Sequence, residues 1–111
     1  MSSTIKSNGT INLTRGDTFY LKLRLTDLDG EPVQLTEGCR VRFALKEDYD
    51  SDVILVEKEI PINTMILRLT PSDTKILNFG TYVYDIQVTL ENGDVDTVIP
   101  RKLFNVLEEV E

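Results

Sequence analysis

Asp48-Tyr-Asp-Ser-Asp52 places three carboxylates at every second position. Carboxylates spaced in this way along a loop are suited to wrapping Ca2+, a hard cation that takes oxygen ligands. The glycine that such a loop needs at its sixth position is missing, so a solvated acidic loop is the simpler reading and Asp48, Asp50 and Asp52 stand as a weak cation candidate. Arg15-Gly16-Asp17 sets a guanidinium and a carboxylate on either side of a glycine, an arrangement able to bridge a receptor pocket. The same residues make an ordinary turn between two strands, with Gly16 supplying backbone freedom and Asp17 accepting local hydrogen bonds, and this is the reading preferred. Cys39 precedes Arg40 and Arg42, whose charges would favour a thiolate. The chain has no histidine to act as base, so Cys39 is expected to be a semi-buried structural thiol. Phosphate-cradling glycine loops, nucleophile elbows and metal-ligand spacings are absent from the sequence. No catalytic residue, cofactor or enzymatic activity is expected.

The totals bound the rest. A chain of 111 residues fits one domain spanning 1–111, with 1–4 and 108–111 expected to fray. At this length a hydrophobic core suffices without metal or disulfide staples, and a single cysteine permits no internal disulfide. The formal charge of −7 argues against a face for nucleic acid, which needs clustered Lys and Arg. The polar start Met1–Gly9 has no apolar run, so neither a secretory leader nor a membrane anchor is expected, and the sequons at Asn8 and Asn12 should go unread.

The elements that would carry these groups are strands. Phe19, Leu21, Leu23 and Leu25 alternate with Tyr20, Lys22, Arg24 and Thr26, the pattern of a half-buried antiparallel strand. Val41, Phe43 and Leu45 alternate with Arg40, Arg42 and Lys46. From Val53 to Ile60 both parities are apolar, which leaves the register open. Met65, Leu67 and Leu69 point one way in a short strand. Asn8-Gly9 and Asn92-Gly93 are hairpin turns, and Pro100-Arg101 is expected to interrupt the strand that begins at Val95. Glu31–Leu35 contains Pro32, which cannot donate to a ladder and so belongs at an edge. Seven or eight antiparallel strands and no long helix argue for an all-β sandwich.

The segment from Leu69 to Val88 is the most specific. Pro71-Ser72-Asp73 opens a single helical turn, capped by Thr70 or Ser72. Gly80 then leads into a strand with Tyr82, Tyr84, Ile86 and Val88 on one face. A tyrosine at the start of such a strand suits a tyrosine corner, its hydroxyl donating to backbone upstream, here expected near Asp73 to Ile76. Tyr82, Gly80, Asp73, Gly16 and Asp17 are thus the expected structural determinants.

Several segments together resemble a family: Ile-Asn-Leu-Thr-Arg-Gly-Asp-Thr-Phe (11–19), Asp-Leu-Asp-Gly-Glu-Pro-Val-Gln-Leu-Thr (27–36), Val-Arg-Phe-Ala-Leu-Lys (41–46), Leu-Arg-Leu-Thr-Pro-Ser-Asp-Thr (67–74) and Gly-Thr-Tyr-Val-Tyr-Asp-Ile-Gln-Val (80–88). The chain is similar to the immunoglobulin-like domain at the N-terminus of phage baseplate upper proteins. The resemblance implies an immunoglobulin-like sandwich and a virion structural protein, a tail or baseplate adaptor that docks other particle proteins and recurs as a homo-oligomer in the particle. Capsid decoration or head-fibre attachment, and host glycan or receptor binding with Tyr20 and Tyr49 as stacking residues, are the alternatives. The edge segments Glu31–Leu35 and Leu103–Leu107 are the expected docking strands, with Val33, Leu35, Leu103 and Val106 as interface candidates. Neither nucleic acid nor membrane is expected as a partner.

Overall fold

The structure, a computed structural model, describes residues 4–5, 9–25, 29–32 and 35–108, with backbone alone at 4–5 and 98–101. Its strands are β1 (Thr4–Ile5), β2 (Ile11–Thr14), β3 (Phe19–Lys22), β4 (Arg40–Lys46), β5 (Ile54–Ile60), β6 (Ile66–Leu69), β7 (Gly80–Thr89) and β8 (Val95–Leu107), with one helical turn, α1 (Pro71–Thr74), between β6 and β7. The larger sheet runs in the order β1-β2-β8-β7-β4-β5, and β3 pairs β6 in a second sheet. The fold is mostly β, and its two sheets are compatible with an all-β sandwich.

The alternating sequences produce the register. Val41, Phe43 and Leu45 of β4 oppose Val88, Ile86 and Tyr84 of β7, and all six are buried. Phe43, Tyr84 and Phe104 form the aromatic centre, with ring centroids 5.5 Å apart for Phe43–Tyr84 and 6.2 Å for each of the other two pairs. Such pairs add about 0.5–1.5 kcal/mol each beyond the area they bury. Phe19 from β3 with Leu67 and Leu69 from β6 close the core from the smaller sheet. In β5 the ambiguous register resolves with Val56 and Ile60 inward, and Lys58 on the same parity, opposite Phe43.

Four expectations need correction. Not all strands are antiparallel: β2 pairs β1 antiparallel on one side but runs parallel to β8 on the other, a sense that alternation along the sequence does not encode. Pro100 does not end a strand, since β8 continues through it for 13 residues. The register against β7 shifts between Tyr84 and Ile86 and again between Ile86 and Gln87, irregularities that absorb a residue unable to donate. Met65 is not a strand residue: its φ of 54° lies in the left-handed region. There its N–H donates to the Pro61 carbonyl and its own carbonyl accepts from Leu23, both at 2.7 Å. The regular part of the expected Phe19–Thr26 strand stops at Lys22, although Leu23 stays buried, and Thr26 lies outside the described residues.

Candidate docking surface

The helical turn is held at both ends of its first loop. The Thr70 hydroxyl accepts from the Asp73 N–H, and an Asp73 carboxylate oxygen accepts from the Thr70 N–H at 2.7 Å, a reciprocal capping box. Lys58 Nζ approaches the same carboxylate to 3.1 Å. Partial burial pushes the Asp73 carboxyl upward, but the backbone donor at Thr70, the Lys58 ammonium and the Thr70 hydroxyl outweigh it and hold the group below its ordinary value. Of the two cap residues expected, the chain uses Thr70.

After α1 the chain reaches Gly80, whose φ of 148° few side-chain-bearing residues adopt. Tyr82, 9% exposed, then donates from its hydroxyl to the Asn78 carbonyl at 2.8 Å. The acceptor is nearer in sequence than expected. Residues from Asp73 to Ile76 belong to α1 and the turn that follows it, where the Thr74 carbonyl already accepts from Leu77. Tyr84 donates to the Gly9 carbonyl at 2.5 Å, and burial pushes its phenol up to about 12. Sequence reasoning placed Tyr84 in the core but had no signal for an acceptor 75 positions away.

The candidate cation ligands do not converge. Asp48, Asp50 and Asp52 are all exposed, and Asp48 Oδ1 instead accepts from the Asp50 N–H at 3.0 Å. Glu59, twelfth from Asp48, lies in β5 facing Arg40 at 3.9 Å. Among the described residues no group of three or more acidic or thiol side chains is placed to hold a metal ion. Cys39 is buried, with its sulfur 3.5 Å from the Thr36 hydroxyl.

Arg15-Gly16-Asp17 forms the turn between β2 and β3, with Gly16 at φ 96° and the Asp17 N–H donating to the Thr14 carbonyl at 3.0 Å. The Arg15 guanidinium folds back onto its own chain. It donates to the Lys75 carbonyl at 2.8 Å and lies 5.6 Å from the Phe79 ring centroid. Of the two stacking candidates, Tyr20 is engaged by Arg68, which donates to its hydroxyl at 3.2 Å and covers its ring, and Tyr49 is exposed in the acidic loop.

The interface candidates separate. Val33 lies outside the described residues. Leu35 is partly buried against the core. Val106 is 2% exposed and faces inward beside Phe104, so it cannot meet a partner. Leu103, 40% exposed, is the one that presents itself. Leu103–Leu107 is also not an edge, since over this stretch β8 pairs β7 on one side and, from Phe104, β2 on the other. The strand that ends the larger sheet opposite β1 is β5.

Polar side chains tie up the outer face of this sheet. Thr81 donates to Asn105, and Asn105 donates to Asn12, each at 2.8 Å, a ladder across β7, β8 and β2. Arg42 donates to Glu57 and to Gln87, also at 2.8 Å, joining β5, β4 and β7. Exposed apolar side chains gather instead at one end of the strands. β2 and β8 finish there, β7 begins there, and the β4–β5 loop starts there. Val53, Ile54, Ile76, Phe79 and Leu107 are exposed toward this end, Tyr49 lies beside Lys46, Val83 and Asp85 on the β4–β7 face, and Leu90 and Val95 lie at the other end. No sequence periodicity reports such a grouping, because its members come from loops and strand ends far apart in sequence that only the topology brings to one end.

No known protein family and no curated protein matches the chain. No helix among the described residues is long and apolar enough to cross a membrane.

Proposed function

We propose that the chain is an immunoglobulin-like module acting as a non-enzymatic structural adaptor of a phage particle, at the tail or baseplate, where it docks other virion proteins and recurs in many copies. The observation that carries the fold assignment is the bond from Tyr82 to Asn78, at the corner where the chain passes from the smaller sheet to the larger. The layering supports it. The chain crosses between sheets from β2 to β3, from β3 to β4, from β5 to β6 and from β6 to β7, connections of the kind found in Greek-key sandwiches. The assignment to a phage particle rests on the resemblance of segments 11–19, 27–36, 41–46, 67–74 and 80–88 to the baseplate domain, since a sandwich alone does not specify a function. A docking role agrees with the exposed apolar side chains, among them Val53, Ile76 and Phe79, toward the end where β7 begins.

The reading is tested by fractionating a phage lysate in which the chain carries an epitope tag. The tagged chain is expected to co-sediment with intact particles in a copy number set by particle symmetry. Recovery only in the free-protein fraction contradicts the proposal.

A further inference from the structure

Between its two polar networks the outer face of the larger sheet is apolar. Lys46 of β4 pairs with Ile54 of β5 and with Val83 of β7, and Val83 pairs with Leu103 of β8, so these four side chains share one level across the sheet. At the usual interstrand spacing that level is about 14 Å wide. Ala44 and Val83 point outward by parity, yet they are only 3% and 6% exposed. The β4–β5 loop lies along them, where Asp48 and Tyr49 enclose a small niche with Ala44, Val83, Lys46 and Asp85. Tyr49, Ile54 and Leu103 stay exposed. The bonds joining Thr81, Asn105 and Asn12 border this stripe on one side, and those of Arg42 with Glu57 and Gln87 border it on the other. At Ile54 and Val53 the stripe runs on into the apolar end of the strands.

We infer that this stripe docks a partner protein whose own apolar patch is flanked by lysine or arginine, with Tyr49 and Leu103 as anchors and the loop from Glu47 to Asp52 facing the partner's cations. An apolar centre within a polar rim is the anatomy of a protein interface, and tyrosine is enriched among the residues that anchor one. The loop selects the sign of the partner. Glu47, Asp48, Asp50 and Asp52 are all exposed beside the stripe, and against them stands the half-buried Lys46. Farther along the same face Arg42 and Arg40 already meet Glu57 and Glu59, at 2.8 and 3.9 Å, and so do not offset the loop. A second copy of a chain of charge −7 would add repulsion, whereas cations on a different protein are drawn to the loop and fix its orientation. The inference rests on reading the chain as a docking module and is independent of which particle it belongs to.

Site-specific photo-crosslinking tests it. The tagged full chain, carrying benzoylphenylalanine at position 49, 103 or 20, is irradiated in infected cells and the crosslinked peptides are identified by mass spectrometry. Positions 49 and 103 should capture the same protein, through peptides in which lysine or arginine neighbours apolar residues. Position 20, on the smaller sheet, should not capture it. Asp50→Lys with Asp52→Lys should lower the yield from position 103 several-fold, and because both positions are exposed the variant should melt close to the parent chain. The inference is overturned by no crosslink from either position, by capture of a second copy of the chain, by equal capture from position 20, or by a yield indifferent to the charge reversal. The expected crosslinks from a chain that is absent from particles would uphold this surface and overturn the particle assignment.

Discussion

Lys58 Nζ lies 3.1 Å from an Asp73 carboxylate oxygen and so joins the edge strand of the larger sheet to the helical turn that follows the smaller one. The same carboxylate closes the cap of that turn. One acidic side chain therefore serves both local structure and the contact between layers, and its removal should be felt in both.

Asp73→Ala is expected to cost about 2 kcal/mol, since a charge-assisted cap is lost together with an ion pair that is only partly exposed. Lys58→Met should cost less, about 1 kcal/mol, because the cap survives. Urea unfolding of the two single variants and the double variant gives the coupling. A double variant that costs the sum of the singles would mean that the two residues do not interact.

Acid should weaken the fold through the same group. The folded carboxyl titrates below its ordinary value of 3.8, so the stabilisation is complete above that pH and is lost as pH falls through the lower folded value. In Asp73→Asn this part of the acid dependence should vanish. Stability curves of parent and variant should converge as the pH drops below 4, and curves that stay parallel would refute the assignment.

Alkali acts on Tyr84 with the opposite sign. Its phenol is raised from an ordinary 10 to about 12 in the fold, so above pH 10 the unfolded chain ionises first and stability falls until pH passes the folded value. A two-unit gap corresponds to about 2–3 kcal/mol. Tyr84→Phe should be less stable at neutral pH by about 1 kcal/mol, having lost the bond to Gly9, and should decline less between pH 10 and 12. The difference between parent and variant isolates Tyr84 from the other groups that titrate there.

Thr74 offers a stabilising change. It is 1% exposed, and its hydroxyl has no hydrogen-bond partner among the described residues. Thr74→Val keeps the shape and removes the orphan oxygen, which should add about 1 kcal/mol. The denaturation midpoint should rise with no change in slope. A lower midpoint would mean that the hydroxyl is satisfied.

Much of the fold was legible in the residues. Alternation put Val41, Phe43 and Leu45 on one face of their strand and Tyr84, Ile86 and Val88 on one face of theirs, and the structure sets the two rows opposite each other. Pro71 and Asp73 announced the helical turn, and glycines 16 and 80 marked backbone that other residues resist. Period two cannot say which strands are neighbours, so the parallel β2–β8 pair and the interior position of Leu103–Leu107 were not foreseen. Val106 was assigned to a surface for the same reason. Its parity fitted either face, and only pairing on both sides of β8 fixes it inward. Inward placement of Lys58 with Ile54 and Val56 was one of two registers open to β5, but its partner Asp73, 15 residues away, has no signal in the sequence until the fold brings the two together.

Removing the hydroxyl of Tyr82 tests the corner itself. Tyr82→Phe is expected to lower stability by about 1 kcal/mol, leaving the Asn78 carbonyl without its donor. A melt indistinguishable from the parent would show that the corner does not hold the connection.

The account as a whole turns on where the chain sits. Cryo-electron microscopy of intact phage particles bearing this chain should reveal a two-layered β density of its size at a repeated position on the tail or baseplate, with its apolar end buried against a neighbouring protein. Particles without such density, or with that end facing solvent in every copy, would contradict the structural-adaptor reading.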